Sequence, residues 1–125
     1  MRILPILLAF APLAAHAEGA QTTLNCVSVQ VCDGTECEAK ADELVIRYQP
    51  VETDDLGRGA YLIELGEHNA VEGTGFSFLG PFYWETSYIQ LTLMFSSETT
   101  MLLHLFDPTS GEPATYATLT CEVVQ

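Results

Sequence analysis

Period two dominates the hydrophobic pattern of this chain. Leu44, Ile46 and Tyr48 alternate with Val45, Arg47 and Gln49, and Ile89, Leu91, Leu93 and Phe95 alternate with Gln90, Thr92 and Met94. Successive side chains of a strand point to opposite faces, so each run predicts a strand with one buried side. The second of these is predicted to begin at Ser87. Residues 23–31 predict another strand, with Val27, Val29 and Val31 in step, and residues 60–65 a short one. A closing strand over 115–124 would turn Ala117, Leu119, Cys121 and Val123 inward. Residues 101–106 are apolar on both sides apart from His104, which predicts a strand flanked on both edges.

The intervals between these runs read as connections. Residues 50–59 hold a proline, two adjacent aspartates and two glycines, and residues 107–113 hold two prolines and a glycine. The stretch from Cys37 to Glu43 is charged, and residues 66–75 are polar and turn-rich. No twelve-residue stretch beyond the first seventeen residues carries a helical period. The expected fold is all-β and antiparallel, about seven or eight strands in a small barrel or a compact sandwich.

The first seventeen residues stand apart. Arg2 precedes an apolar stretch broken by Pro5 and Pro12, and Ala15-His16-Ala17 gives small residues at a cleavage position. This is the pattern of a secretory signal peptide, shorter than the roughly 20 apolar residues of a membrane-spanning helix. The expected layout is a signal peptide at 1–17 and one domain at 18–125, exported to a periplasm or outside the cell. A chain of that size supports one modest core.

Export changes the meaning of the four cysteines. In an oxidising compartment Cys26, Cys32, Cys37 and Cys121 read as two disulfides. Cys26 and Cys32 would lie about 20 Å apart along one strand, too far for a bond. Cys32 and Cys37 flank Asp33-Gly34-Thr35-Glu36, which reads as a four-residue hairpin loop, and so would face each other. Cys26 is left for Cys121, tying the first strand to the last and favouring a closed barrel. No C-x-x-C or nearby histidine pair suggests zinc instead.

Charge narrows the partners. The chain carries seventeen acidic residues, and once Arg2 leaves with the signal only Lys40, Arg47 and Arg58 oppose them, a formal charge of −14. Such a surface disfavours nucleic acid, whose binding neutralises phosphates, and it is repelled by anionic membranes. It would attract a cationic protein or peptide.

The search for chemistry yields no catalytic motif. Ser77 sits in Gly75-Phe76-Ser77-Phe78-Leu79, which misses the nucleophile pattern at its last position. His68 and His104 are isolated, and pairs such as Glu64 with Glu67 or Asp54 with Asp55 arise by chance among so many carboxylates. Asp33 and Glu36 are loop carboxylates without a calcium-loop pattern. No cofactor is expected and no enzyme activity is read.

One local feature stands out. Residues 75–84 hold Phe76, Phe78, Phe82, Tyr83 and Trp84. Phe76, Phe78, Phe82 and Trp84 are expected chiefly in the core, with Tyr83 outside by parity and Gly80-Pro81 bending the segment. The same five residues form the candidate ligand or partner patch. The leading expectation is a non-enzymatic exported domain that binds a cationic protein or peptide. The alternatives are a carrier of a small apolar ligand using these aromatics, and a small hydrolase using His68 or His104.

Overall fold

A computed structural model of the protein describes residues 20–124. The predicted signal peptide, residues 1–17, lies outside the described residues. Among the described residues nine strands follow one another: β1 (Thr22–Asp33), β2 (Glu36–Ala39), β3 (Glu43–Thr53), β4 (Gly59–Leu65), β5 (Val71–Gly75), β6 (Phe82–Thr86), β7 (Ile89–Phe95), β8 (Thr100–Phe106) and β9 (Thr115–Val124). From β3 to β9 each pairs antiparallel with the next, and β1 pairs with both β3 and β9. Eight strands therefore close into an up-and-down barrel. The ninth, β2, lies beside β1 beyond the end of β3.

The expected all-β antiparallel class is found, and the choice between barrel and sandwich falls to the barrel. Among the described residues no helix is long and apolar enough to cross a membrane. Strand β8 sits between β7 and β9, which explains its apolar run: one side faces the core through Met101, while Leu102, His104 and Phe106 are half-buried on the outer wall.

Two strands lie where the sequence reads only connections. β2 is exposed at every position, so no hydrophobic face betrays it. β5 hides behind its glycines. A Cβ on Gly75 would lie 2.3 Å from the Tyr61 ring, and one on Gly73 would lie 2.8 Å from Ile63 Cδ1. The glycines that read as turn residues are there because neighbouring side chains cross the strand closely.

Other boundaries shift for local reasons. Ser87 and Tyr88 form a turn with positive φ, so β7 begins at Ile89. Asp33 pairs with Glu36, which shortens the expected four-residue loop to Gly34-Thr35, with Gly34 at φ 66°. In β1 the valine row is not the core face: Val27 and Val29 are exposed while Leu24, Cys26 and Ser28 are buried. Register shifts between Ser28 and Gln30, and the Ser28 hydroxyl fills the irregularity by donating to Lys40 O and accepting the N–H of Asp42.

Cys26 bonds Cys121 and Cys32 bonds Cys37, each pair directly opposite across adjacent strands. The first bridge fastens the seam where the barrel closes. Beside it lies a buried aromatic layer. Tyr48 and Tyr61 stand 4.7 and 4.9 Å from Phe82, centroid to centroid, and Leu24, Ile46, Leu93, Met101 and Leu119 fill the space around them. Each ring removes about 150–250 Å² from water, so this layer is the main source of burial in a small domain.

Candidate functional site

The strands deliver two unlike ends. At the loop end, β3 passes to β4 through residues 54–58, β5 to β6 through 76–81, and β7 to β8 through 96–99. At the mouth lie the turns 34–35 and 87–88 and the longer connections 66–70 and 107–114.

Asp54 organises the first connection of the loop end. Its carboxylate accepts the N–H groups of Leu56 and Arg58 at 2.9 Å each, and Arg58 Nε at 2.8 Å. These bonds, led by the Arg58 N–H, hold the Asp54 carboxyl below its ordinary value. Ser77 organises the second. Its hydroxyl donates to Gly80 O at 2.6 Å and accepts the Leu79 N–H at 3.1 Å. The Phe76 N–H donates to Pro81 O across the base of the loop.

Tyr61 then joins the two connections. Its ring is fully buried, and its hydroxyl lies 2.6 Å from Gly57 O and 3.2 Å from Ser77 O, sharing one proton between them. Burial pushes this phenol above its ordinary value. A Cβ on Gly57 would meet the Phe78 nitrogen at 2.5 Å and the Phe78 ring at 2.7 Å, so Phe78 lies directly on the Gly57 backbone.

The backbone is thus tied down while the large apolar side chains point out. Leu56 and Leu79 are each 64% exposed, Phe76 is 60% and Phe78 is 37% exposed. A recess of about 510 Å³ opens beside them, between Leu79, Pro81, Phe95 and Val123. Around this platform stand Glu52, Asp55 and Glu98, all exposed. Arg58 is the nearby cation, and Asp54 already pairs with it.

The candidate patch therefore divides at Gly80-Pro81. Phe76 and Phe78 belong to the platform, which corrects their expected place in the core. Phe82 and Trp84 are buried. Tyr83 lies on the outer wall, where its hydroxyl donates to Glu85. Leu56 and Leu79 are new members. Their signal was present in the sequence: large aliphatic residues set between turn residues, where no strand period explains them.

The mouth is built differently. Trp84 is its last large inward ring. Beyond it Leu65, Val71, Ile89, Leu103 and Leu105 line an open cup of about 510 Å³. His68, Asn69 and Thr86 form its polar part.

The remaining chemical candidates scatter. His68 stands at the mouth, its backbone N–H donating to Leu65 O, whereas His104 lies on the outer wall, its ring 4.8 Å from that of Tyr116. Ser77 is engaged within its own loop. Glu64 pairs with Arg47 across β3 and β4, and Asp33 and Glu36 face each other at the hairpin tip. Among the described residues no three His, Cys, Asp or Glu side chains gather to hold a metal ion.

Fold and site together define a small disulfide-tied β-barrel with an apolar surface at each end. The chain matches no family model, no curated protein and no solved structure.

Proposed function

We propose that this is a non-enzymatic exported domain that docks a cationic protein or peptide through the loop end. The observation that carries this reading is the Tyr61 hydroxyl, which fastens both loops while Leu56, Phe76 and Leu79 remain in water. Large apolar groups held in place before binding lose little conformational freedom on contact, and central aromatic anchors carry much of an interface's energy.

Charge supplies the partner's sign. Lys40, Arg47 and Arg58 each pair with a carboxylate, with Asp42, Glu64 and Asp54 in turn. The charge left for a partner is therefore negative, and it would steer a cationic surface toward the protein. Two disulfides suit an oxidising compartment, a periplasm or the medium outside a cell.

The test is calorimetric titration with an amphipathic peptide of alternating lysine and leucine, at low and high salt. The double variant Phe76→Ser, Leu79→Ser should bind at least about tenfold more weakly, since each lost anchor is worth on the order of 1–2 kcal/mol. Tyr61→Phe should bind about threefold to tenfold more weakly although every exposed side chain remains, because the platform would loosen. Affinity should also fall with salt. Equal affinity of the wild type and the double variant would sink the reading, for it would mean that charge alone attracts the peptide.

A further inference from the structure

We infer that the mouth holds a single-chain amphiphile, its apolar chain in the cup above Trp84 and a neutral or cationic head at the polar edge. This site is separate from the loop end and does not depend on it.

The cup arises from residue size. Inward positions near the loop end carry Tyr48, Tyr61 and Phe82, which fill the barrel. Toward the mouth, inward positions carry Leu65, Val71, Thr86, Ile89 and Leu105, and Ala117 completes the wall toward β9. Side chains of that size do not meet across eight strands, so the space above Trp84 stays open. Its volume of about 510 Å³ lies in the range of small-ligand pockets.

The polar groups of the cup are not spread around it. His68 and Asn69 come from the connection between β4 and β5, and Thr86 ends β6, so all three belong to one side. Opposite them Leu103 and Leu105 of β8 offer only hydrocarbon. Water in such a cup finds hydrogen-bond partners along one edge alone, whereas a chain with a polar head satisfies both sides. Glu67, Glu72 and Glu85 lie on the same connection and on β5 and β6, and no lysine or arginine lies there. None of the three lines the cup, and Glu72 and Glu85 alternate with the inward Val71 and Trp84, so they act on a head group through their field, which opposes an anion with no nearby cation to offset it. A neutral or cationic head meets acceptors and a favourable field.

Trp84 is the single tryptophan of the chain and borders the cup while only 4% exposed, so its emission reports occupancy. The experiment titrates the oxidised protein with dodecanol, dodecylamine and dodecanoate, each below its aggregation concentration. Dodecanol and dodecylamine should shift the emission saturably, and dodecanoate should bind at least about tenfold more weakly. Val71→Phe narrows the cup from its half-exposed rim and should weaken dodecanol about tenfold or more. Leu62→Phe, on the outer face of the neighbouring strand, should leave it unchanged, as should the Phe76→Ser, Leu79→Ser variant of the loop end. Flat emission with all three compounds, or a shift that Val71→Phe leaves intact, overturns the site. Tightest binding of dodecanoate overturns the head-group assignment.

Discussion

The loop end is filled and fastened; the mouth is open and lined with aliphatic residues. At the loop end the aromatic side chains of the strands go inward to occupy the barrel, whereas Leu56, Phe76 and Leu79 are carried outward on hydrogen-bonded loops. At the mouth the same inward positions carry smaller groups, and the apolar surface is concave. The same alternation of strand residues thus yields apolar side chains raised on loops beside a recess at one end, and an open aliphatic cup within the barrel at the other. What differs is the size of the inward residue and the length of the connection. Stability should therefore be concentrated toward the loop end.

The largest contrast concerns the disulfides, one on each side of the barrel's middle. Cys26–Cys121 closes a loop of 95 residues, and Cys32–Cys37 closes one of 5 at the mouth. The chain-entropy account gives about 4.7 kcal/mol for the long loop and about 2 kcal/mol for the short one. Replacing both cysteines of each pair by alanine, one pair at a time, and comparing urea midpoints should reproduce that order. Equal losses would mean that loop length does not govern their contributions.

Next in size is the packing itself. Phe82 is fully buried between Tyr48 and Tyr61. Phe82→Ala should cost about 3–5 kcal/mol, because the rings around it cannot collapse into the gap. Leu103→Ala, on the half-exposed wall of the cup, should cost about 1 kcal/mol, since part of its surface already faces open space. Urea unfolding of the two variants measures the difference. Losses of similar size would show that the cup wall is as tightly packed as the filled layer.

Which parts of this contrast the sequence discloses follows from how local each signal is. Strands β7 and β9 and the first part of β3 were legible because every second residue is apolar and nothing interrupts the count, whereas Pro50 makes residues 50–53 read as a connection although β3 continues through them to Thr53. Strand β5 was not, because its inward positions are Val71, Gly73 and Gly75, and the reason for the glycines lies on other strands, in Tyr61, Ile63 and Trp84. The cysteine pairs were legible from strand geometry and elimination. The aromatic segment misled because Phe76, Phe78, Phe82 and Trp84 share one parity, which has meaning only within an unbroken strand. Gly80-Pro81 ends the count, and the first pair leaves the barrel. The cup was the least legible feature. Its walls come from β4 to β8, and only the register shows that no large residue fills the layer above Trp84.

The smallest predicted effect is a gain. Ser87 and Tyr88 have φ of 48° and 75°, and every other residue in the left-handed region among those described is glycine. The loop end follows the rule, with Gly57, Gly59 and Gly80 at its positive angles; the mouth breaks it with a tyrosine. Tyr88 is 79% exposed, so it gains little from packing to offset the strain. A side chain in this region costs about 1–2 kcal/mol against glycine, and the added freedom of glycine in the unfolded chain returns about 0.5–1 kcal/mol of that. Tyr88→Gly should therefore stabilise the fold by roughly 0.5–1 kcal/mol, a rise of a few degrees in Tm for a domain of this size. The two central residues of this turn both sit at positive φ, the arrangement in which asparagine followed by glycine is preferred, so Ser87→Asn combined with Tyr88→Gly should gain slightly more. Thermal melts of the oxidised protein decide the matter. A lower Tm for Tyr88→Gly would mean that the ring rests on the mouth strongly enough to outweigh the strain, and the mouth would then be less open than its geometry implies.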